Sequence, residues 1–235
     1  MKKLVIITTC GNSDRLKETL DTLKEETADI LIIDDGSDSE YDVGKHKLIR
    51  KEEGKGLTDS WNVGYKYFKD NNYDYCVLSN DDIIFPGRVP PDMWKGLEQF
   101  TMLGLLADPI GSGRFPGQFQ NIETYLRAID DYKDTITINN RLQKRHPSIR
   151  FLELYDNIVG EELYINGFCF SFNRDIIKAE YDKDILFNPM KINTGNEKEL
   201  QKHRLLDKKA ISIKSYVFHY KGQSFKENRQ EIVNK

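Results

Sequence analysis

The sequence predicts an α/β protein, a single-domain α/β/α sandwich with a mainly parallel central sheet. Short apolar runs rich in β-branched residues alternate with amphipathic segments through the first half of the chain. This order is typical of parallel strands joined by helical crossovers. At 235 residues the chain is long enough for one well-buried domain and short for two. We therefore expect residues 1–235 to form one domain.

Apolar spacing predicts each element in turn. Residues 4–7 are continuously apolar, as in a strand buried on both faces. Leu16, Leu20 and Leu23 form one stripe of the helix that follows. Further strands are predicted over 30–33, 47–50, 75–78, 102–106, 167–172 and 211–217, and helices from 56, over 92–100 and over 195–206. A glycine-rich loop is expected at 111–117 and a partly helical insertion at 121–145.

Composition argues against several classes of protein. The net charge is −3 and the charged share of 31% is nearly balanced, which disfavours a nucleic-acid binder. The three cysteines are widely separated, a pattern typical of reduced thiols and not of a disulfide framework or a zinc site. No apolar run suits a signal peptide or approaches membrane-spanning length. We expect a soluble, cytoplasmic protein without a transmembrane segment.

Polar clusters follow the predicted strands at residues 8–12, 34–38 and 80–82. Ligands of open parallel sheets bind outside the carboxyl ends of the strands, so these clusters should share one crevice. The adjacent carboxylates at 81 and 82 would raise each other's pKa. A divalent cation such as Mg²⁺ or Mn²⁺, which can in turn hold a diphosphate, would make this arrangement favourable. The alternative is an acidic turn after a strand.

The segments together resemble the GT-A fold glycosyltransferases, especially glycosyltransferase family 2 and its rhamnosyltransferase-like members. The resemblance is carried by residues 5–9, 32–37, 56–64 and 80–82 and continues weakly into the second half. It implies a GT-A fold with a Rossmann-like nucleotide-sugar-binding half over 1–85 and an acceptor-binding half over 86–235. The implied partners are a nucleoside-diphosphate sugar and a glycan or glycoconjugate acceptor.

The resemblance also suggests the nucleotide-binding residues. Asp35 would accept hydrogen bonds from the base or the ribose, and Gly36 would let the backbone approach the nucleotide. Thr8 and Cys10 would line the base pocket, although ordinary strand termination explains Thr8 equally well. Asn62 matches a family position at which a helix approaches the nucleotide.

The metal motif departs from the Asp-x-Asp form of the family because Asn80 takes its first position. An amide could still bond the ribose but would bind a cation weakly. Residues two apart in an extended strand end point the same way, so Asn80 and Asp82 should share one face. We therefore predict Asp82 as the ligand of Mn²⁺ or Mg²⁺. Asp81, grouped with the nucleotide-binding residues, would support the site indirectly or face solvent.

A catalytic base is expected at the start of a late helix. Inverting relatives carry an acidic pair there, often as Glu-Asp-x-Asp-Leu, whose second residue is the base. Asn196 and Glu197 fall on that pair, and Glu199 falls on the following Asp. Glu197 is the predicted general base and Glu199 the fallback. Acidic residues also favour the first turn of any helix, because they suit its dipole.

A last group follows the final predicted strand. His219 at this station could ligate the metal or contact the diphosphate. A histidine beside aromatic residues is otherwise usually a packed core residue. Lys221 and Ser224 complete a His-x-x-Gly-x-Ser pattern seen in rhamnosyltransferase-like members, and they are the predicted diphosphate contacts.

The expected function is that of an inverting, metal-dependent glycosyltransferase, with uridine diphosphate (UDP) as the preferred leaving group because it is the commonest in the resembling family. One alternative is a sugar-nucleotide nucleotidyltransferase. That enzyme would be expected to carry a glycine-rich, basic loop after the first strand, and residues 8–12 are neither very glycine-rich nor basic. The other alternative is a catalytically silent nucleotide-sugar binding module, which Asn80 favours.

Overall fold

The computed structural model describes residues 1–11, 13–38, 40–108, 150–152, 157–159, 165, 167–192, 195–203, 206 and 208–219. The loop predicted at 111–117 and the insertion predicted at 121–145 lie outside these ranges, as do Lys221 and Ser224.

The first half alternates strand and helix as predicted. Its strands all run parallel, in the spatial order β3-β2-β1-β4. Gly56 has a positive φ and precedes the second helix, where the sequence predicted a helix to begin. The elements are β1 (Lys3–Thr9), α1 (Ser13–Asp21), β2 (Asp29–Asp34), β3 (Lys47–Arg50), α2 (Leu57–Asp70) and β4 (Tyr75–Asn80).

The second half extends the same sheet with mixed directions. Its elements are β5 (Ile83–Ile84), α3 (Pro91–Gly96), β6 (Met102–Asp108), β7 (Arg150–Leu152), β8 (Asn157–Val159), β9 (Cys169–Asn173), a 3₁₀ helix (Arg174–Ala179), α4 (Asn196–Leu200) and β10 (Lys209–His219). Strand β9 runs antiparallel between β4 and β6, and β10 runs parallel to β6. The start of β9 therefore lies at the same edge of the sheet as the ends of β4 and β10.

Two apolar clusters cover opposite faces of the sheet, which gives the three-layer sandwich. Alternate residues of β1 divide between them: Leu4 and Ile6 join one cluster, and Val5 and Ile7 join the other. The first cluster lies on the side of α2, and the second lies on the side of α1 and α3. The aromatic residues of β9, Phe170 and Phe172, belong to the first cluster and are part of the sheet core.

The late helix is shorter than expected, because α4 ends at Leu200 and not near residue 206. The residue that follows, Gln201, pairs with the backbone of Ile165 in both directions at 2.7 Å. The chain then continues in tighter turns, with the His203 amide on the Leu200 carbonyl at 2.9 Å. A tertiary contact therefore ends this helix where the helical pattern alone would continue it.

All three cysteines are free; Cys76 and Cys169 are buried and Cys10 is exposed. In the part of the chain that the structure describes, no helix has the length and apolarity needed to cross a membrane.

Candidate functional site

The polar strand ends meet at one edge of the sheet, as expected. Thr9, at the end of β1, is paired in register with Asp34, at the end of β2. The Asp34 carboxylate accepts from the Ser37 amide at 3.1 Å and lies 2.8 Å from Arg50 Nε. Ser37 Oγ in turn accepts from the Gly11 amide at 2.7 Å. These bonds hold the loops after β1 and β2 against each other.

Asp81 is held from inside the protein. Its Oδ2 accepts from Thr9 Oγ1 at 2.6 Å, and its carbonyl accepts from Thr19 Oγ1 of α1 at 2.6 Å. Only 5% of the residue is exposed, so the expectation that Asp81 might face solvent is wrong. Burial is the main cause that raises the pKa of Asp81 to about 7, and the neighbouring Asp82 contributes.

Asp82 and His219 come together because Ile83 of β5 pairs with His219 at the end of β10. Asp82 Oδ2 lies 3.4 Å from His219 Nε2, and both residues are buried. The imidazole stacks on the ring of Phe168, with centroids 4.7 Å apart. The backbone amide of Asn80 donates to the Phe168 carbonyl at 2.9 Å, which holds Asn80 beside Phe168. Asn80, Asp82 and His219 thus form one group.

This group leaves buried polar atoms without partners. Asn80 Oδ1, Asp82 Oδ1 and His219 Nδ1 have no hydrogen-bond partner among the described residues. Unsatisfied buried polar atoms are costly, and an unoccupied ion site is one recognised cause. Within the same ranges, no group of three or more His, Cys, Asp or Glu residues is placed to hold a metal ion. A cation held by Asp82 and His219 would therefore have to take its further ligands from a substrate or water.

Asp35 has a different environment from the one expected of a direct nucleotide ligand. Its carboxylate accepts from the Lys55 amide at 3.0 Å, the Gly56 amide at 2.8 Å and Ser60 Oγ at 3.1 Å. Lys51 Nζ forms a further ion pair with it. These four donors tie the end of β2 to the start of α2. They argue against the predicted bonds to a base or ribose, because each would have to replace an existing partner.

Two other predicted nucleotide contacts also have internal partners. The Asn62 amide group donates to the Phe187 carbonyl at 2.9 Å and accepts from the Leu186 and Phe187 amides at 3.1 and 2.9 Å. Thr8 is buried and donates to the Ser79 carbonyl at 3.4 Å, as ordinary strand termination requires. Both residues therefore have structural tasks, which argue against direct contact with the nucleotide.

Gly36 allows a close backbone approach, but the partner is another loop of the protein. A Cβ atom there would lie 2.4 Å from the Gly54 backbone nitrogen, and φ is +76°. Cys10, by contrast, is exposed at the end of β1. Partial burial and the nearby carboxylates of Asp35 and Asp34 raise the pKa of its thiol. The Cys10 thiol is therefore exposed at this edge of the sheet and neutral near pH 7.

The two candidate bases occupy different environments. Glu199 is bonded to Asn188 Nδ2 at 3.0 Å and paired with Lys191 Nζ, and these contacts lower its pKa. Glu197 turns inward instead. Its Cδ and Oε2 would lie 3.0 and 3.2 Å from a Cβ atom at Gly167, the residue before Phe168. Glu197 therefore lies against Gly167, at the edge where β9 begins, whereas Glu199 is bonded to Asn188 and Lys191.

Sequence reasoning missed several residues that shape this edge. Thr9 ends β1 and Lys51 follows β3, and each holds a carboxylate that follows the neighbouring strand of the sheet. The signal that could have identified Thr9 was its position as a polar residue at the end of a strand. Gly167 approaches both Glu197 and Trp61 from a remote segment, and nothing in its local sequence marks that approach.

Comparison with known proteins identifies the family. The family model described as Glycosyl transferase family 2 matches residues 4–180. A search of curated proteins finds no match. Among solved structures, S. aureus TarS 1-349 has 15% sequence identity and a TM-score of 0.57, with 99% of this chain and 64% of that chain covered. Its complex with UDP has 16% identity and a TM-score of 0.57, with 97% and 63% covered.

A third structure, TarS 1-349 with UDP-GlcNAc, has 16% identity and a TM-score of 0.56, with 93% of this chain and 58% of that chain covered. This chain thus spans less than two thirds of the length of TarS 1-349. At such identities the likeness shows the fold alone. The family model, however, covers most of the chain. The protein therefore belongs to glycosyl transferase family 2, which confirms the resemblance, the α/β fold class and the expected enzyme class.

Proposed function

We propose that this protein is an inverting, cation-dependent glycosyltransferase that moves a sugar from a nucleoside-diphosphate sugar to a hydroxyl group of a glycan or glycoconjugate. One observation carries the proposal. The Glu197 carboxyl group lies against Gly167, just before the start of β9, and the buried, unsatisfied oxygen of Asp82 follows the end of β4 at the same edge of the sheet. A base and a site for the diphosphate at one edge of the sheet are what a single displacement at a sugar carbon requires.

UDP is the nucleotide that we propose for the donor. It is supported by the likeness of the fold to TarS, whose structures contain UDP and UDP-GlcNAc. The donor would lie over the carboxyl ends of β1, β2 and β4, within the half formed by residues 1–85. Cys10, exposed after β1, would contact the donor there, and Asp35 and Gly36 would act by holding the surrounding loops.

Asp82 and His219 would hold the divalent cation, Mn²⁺ or Mg²⁺. A carboxylate oxygen with an imidazole nitrogen suits either ion when diphosphate and water complete the coordination. When bound, the cation would supply positive charge to offset that of the departing diphosphate. Asn80 offers an amide oxygen on the same edge, which is a weak ligand and a suitable hydrogen-bond acceptor for a ribose hydroxyl.

Glu197 would act as the general base. It would take the proton of the acceptor hydroxyl as that oxygen attacks the anomeric carbon from the side opposite the diphosphate, so the configuration inverts. Glu199 is less suited, because its ion pair with Lys191 stabilises the ionised form and makes it a weaker base. The acceptor would bind within the half formed by residues 86–235.

The test measures transfer directly. Purified protein would first be screened against nucleotides with Mn²⁺ by thermal shift, because a ligand of the native state raises its apparent stability. Radiolabelled sugar donors would then be incubated with and without Mn²⁺, and with a chelator. We expect cation-dependent release of nucleoside diphosphate, which Asp82→Ala abolishes and Asp59→Ala, a surface change, leaves intact.

Other outcomes would assign a different function. Formation of a nucleotide sugar from a nucleoside triphosphate and a sugar phosphate, with release of pyrophosphate, would identify a nucleotidyltransferase. Tight donor binding without hydrolysis or transfer to any acceptor would identify a binding module. Either result would overturn the proposed reaction.

A further inference from the structure

Gly167 lies directly against the Glu197 carboxyl group. A methyl group at this position would be 3.0 Å from Glu197 Cδ, 3.2 Å from its Oε2 and 2.8 Å from Trp61 Cη2. Gly167 is not among the glycines with a positive φ, so its backbone would accept other residues. A glycine is needed at 167 because it has no side chain to occupy this space, and not because of its backbone conformation.

The Trp61 ring is a fixed wall on one side of that space. It packs edge-on against Phe170, with centroids 5.8 Å apart, and at a tilt against Phe187, with centroids 5.0 Å apart, and only 3% of the residue is exposed. Asn62 holds the Phe187 backbone with further hydrogen bonds. Close-packed interiors resist such shifts, so the indole ring cannot retreat easily from an added methyl group.

The helix that carries Glu197 is also fixed. Asn196, 2% exposed, donates to Thr58 Oγ1 and to the Lys191 carbonyl, the latter at 2.7 Å. The Thr58 amide donates to the Ile192 carbonyl at 3.0 Å, so the start of α2 holds the segment before α4 as well. The start of α4 is therefore clamped to α2, the same helix that bears Trp61. Of the groups around Gly167, the Glu197 carboxyl lies at the far end of a flexible side chain, so it is the group that an added methyl would displace most readily.

We propose that Gly167 is a positioning residue, which with Trp61 forms the seat that fixes the Glu197 carboxyl group for catalysis. This inference rests on the proposed transfer reaction. A side chain larger than hydrogen at 167 would displace the carboxyl while leaving the donor site of β1, β2 and β4 unchanged. Because a misplacement of about 1 Å can cost about 100-fold in rate, a single methyl group should be felt in the chemical step.

The test is Gly167→Ala, with steady-state kinetics and donor titration. We expect kcat to fall by about 10- to 100-fold, with the dissociation constant of the donor unchanged. Gly64→Ala is the matched control, because its Cβ would lie 2.8 Å from Ile6 Cγ2 in the core, away from Glu197. That variant should lower the melting temperature and keep kcat. Unchanged kcat in folded Gly167→Ala would overturn the proposal.

Combining Gly167→Ala with Glu197→Gln distinguishes a positioning effect on Glu197 from a general loss of activity. In Glu197→Gln the base is absent, so adding Gly167→Ala should cause no further loss of transfer. A further loss of tenfold or more would mean that Gly167 acts by another route, and the proposal would fail. If Glu197→Gln itself kept full activity, the base assignment of the proposed function would fail first, and the two failures are thus distinguishable.

Two further measurements keep the seat testable if Gly167→Ala is unstable or transfer is never observed. Glu197→Asp shortens the side chain by one methylene and leaves Gly167 and Trp61 unchanged, and we expect at least a tenfold loss in kcat. Full activity would contradict the proposed seat. In a Trp94→Phe background, Glu197→Ala should change Trp61 emission, because it empties the space beside Gly167 that the indole ring also lines. An unchanged spectrum would refute the proposed seat without reference to activity.

Discussion

Asp35→Ala should destabilise the fold more than it weakens nucleotide binding. Asp35 is 7% exposed, and its carboxylate accepts from the Lys51 ammonium, the Lys55 and Gly56 amides and the Ser60 hydroxyl. Removing one partner of a buried ion pair costs about 3–5 kcal/mol, because the other charge and its donors are left unsatisfied. We take about 3 kcal/mol, since Lys51 keeps a second carboxylate. That loss lowers the melting temperature of a chain of this size by about 6–12 °C.

The assay is thermal unfolding followed by circular dichroism, together with metal-free nucleotide titration at a temperature where the variant is folded. Asp59→Ala is the control, because Asp59 is the second partner of Lys51 and its side chain is 45% exposed. Exposed pairs contribute about 0–1 kcal/mol, so this variant should melt within about 4 °C of the wild type. Loss of nucleotide affinity in Asp35→Ala with an unchanged melting temperature would refute the structural role and restore Asp35 as a nucleotide ligand.

Three further outcomes are expected. Asp82→Ala should abolish divalent-dependent donor binding in calorimetric titration, whereas Asp81→Ala should be milder because its carboxylate is bonded to the protein; equal, complete losses would mean that the two roles are misassigned. Glu197→Gln should reduce transfer by about 10²- to 10⁴-fold at unchanged donor affinity, and Glu199→Gln far less, so the opposite ranking would move the base to Glu199. Burial raises the pKa of Asp81 from an ordinary 3.8 to about 7. The metal-free folded state therefore binds the Asp81 proton more tightly than the unfolded state does. The stability that this proton contributes below about pH 4 is lost as pH rises to about 7. Denaturant unfolding at pH 5 and pH 8 should therefore show a smaller loss of stability in Asp81→Asn than in the wild type, and equal losses would contradict the raised pKa.

Local sequence carried enough information to predict the first half of the fold. Continuous apolar runs such as 4–7 and 30–33 can only be buried on both faces, which requires helices above and below the sheet. Parallel strands then bring their carboxyl ends to one edge, so the clusters at 34–38 and 80–82 had to lie close together. The base assignment to Glu197 came from the family resemblance, and it stays a prediction.

The partners of each polar group could not be predicted in the same way. Asp34 and Asp35 are adjacent, yet one is bonded to Ser37 and the other to amides at the start of α2. Asn62 was expected to contact the nucleotide, and its amide group instead holds the backbone at 186–187. These partners lie up to 125 residues apart in the chain, and no local pattern specifies them.

The sequence by itself determined that this protein is an α/β sandwich whose polar strand ends share one edge, because the alternation of apolar runs and helices leaves few other ways to bury the strands. Only the tertiary structure decided which carboxylates are already committed to the protein and which face the site. That choice depends on β9 entering the sheet antiparallel between β4 and β6, which brings Gly167 and Phe168 to the end of β4. The hydrogen-bond donors and packed rings around each carboxyl group belong to segments distant in sequence. The role of a carboxyl group therefore depends on those neighbours more than on its own position in the chain.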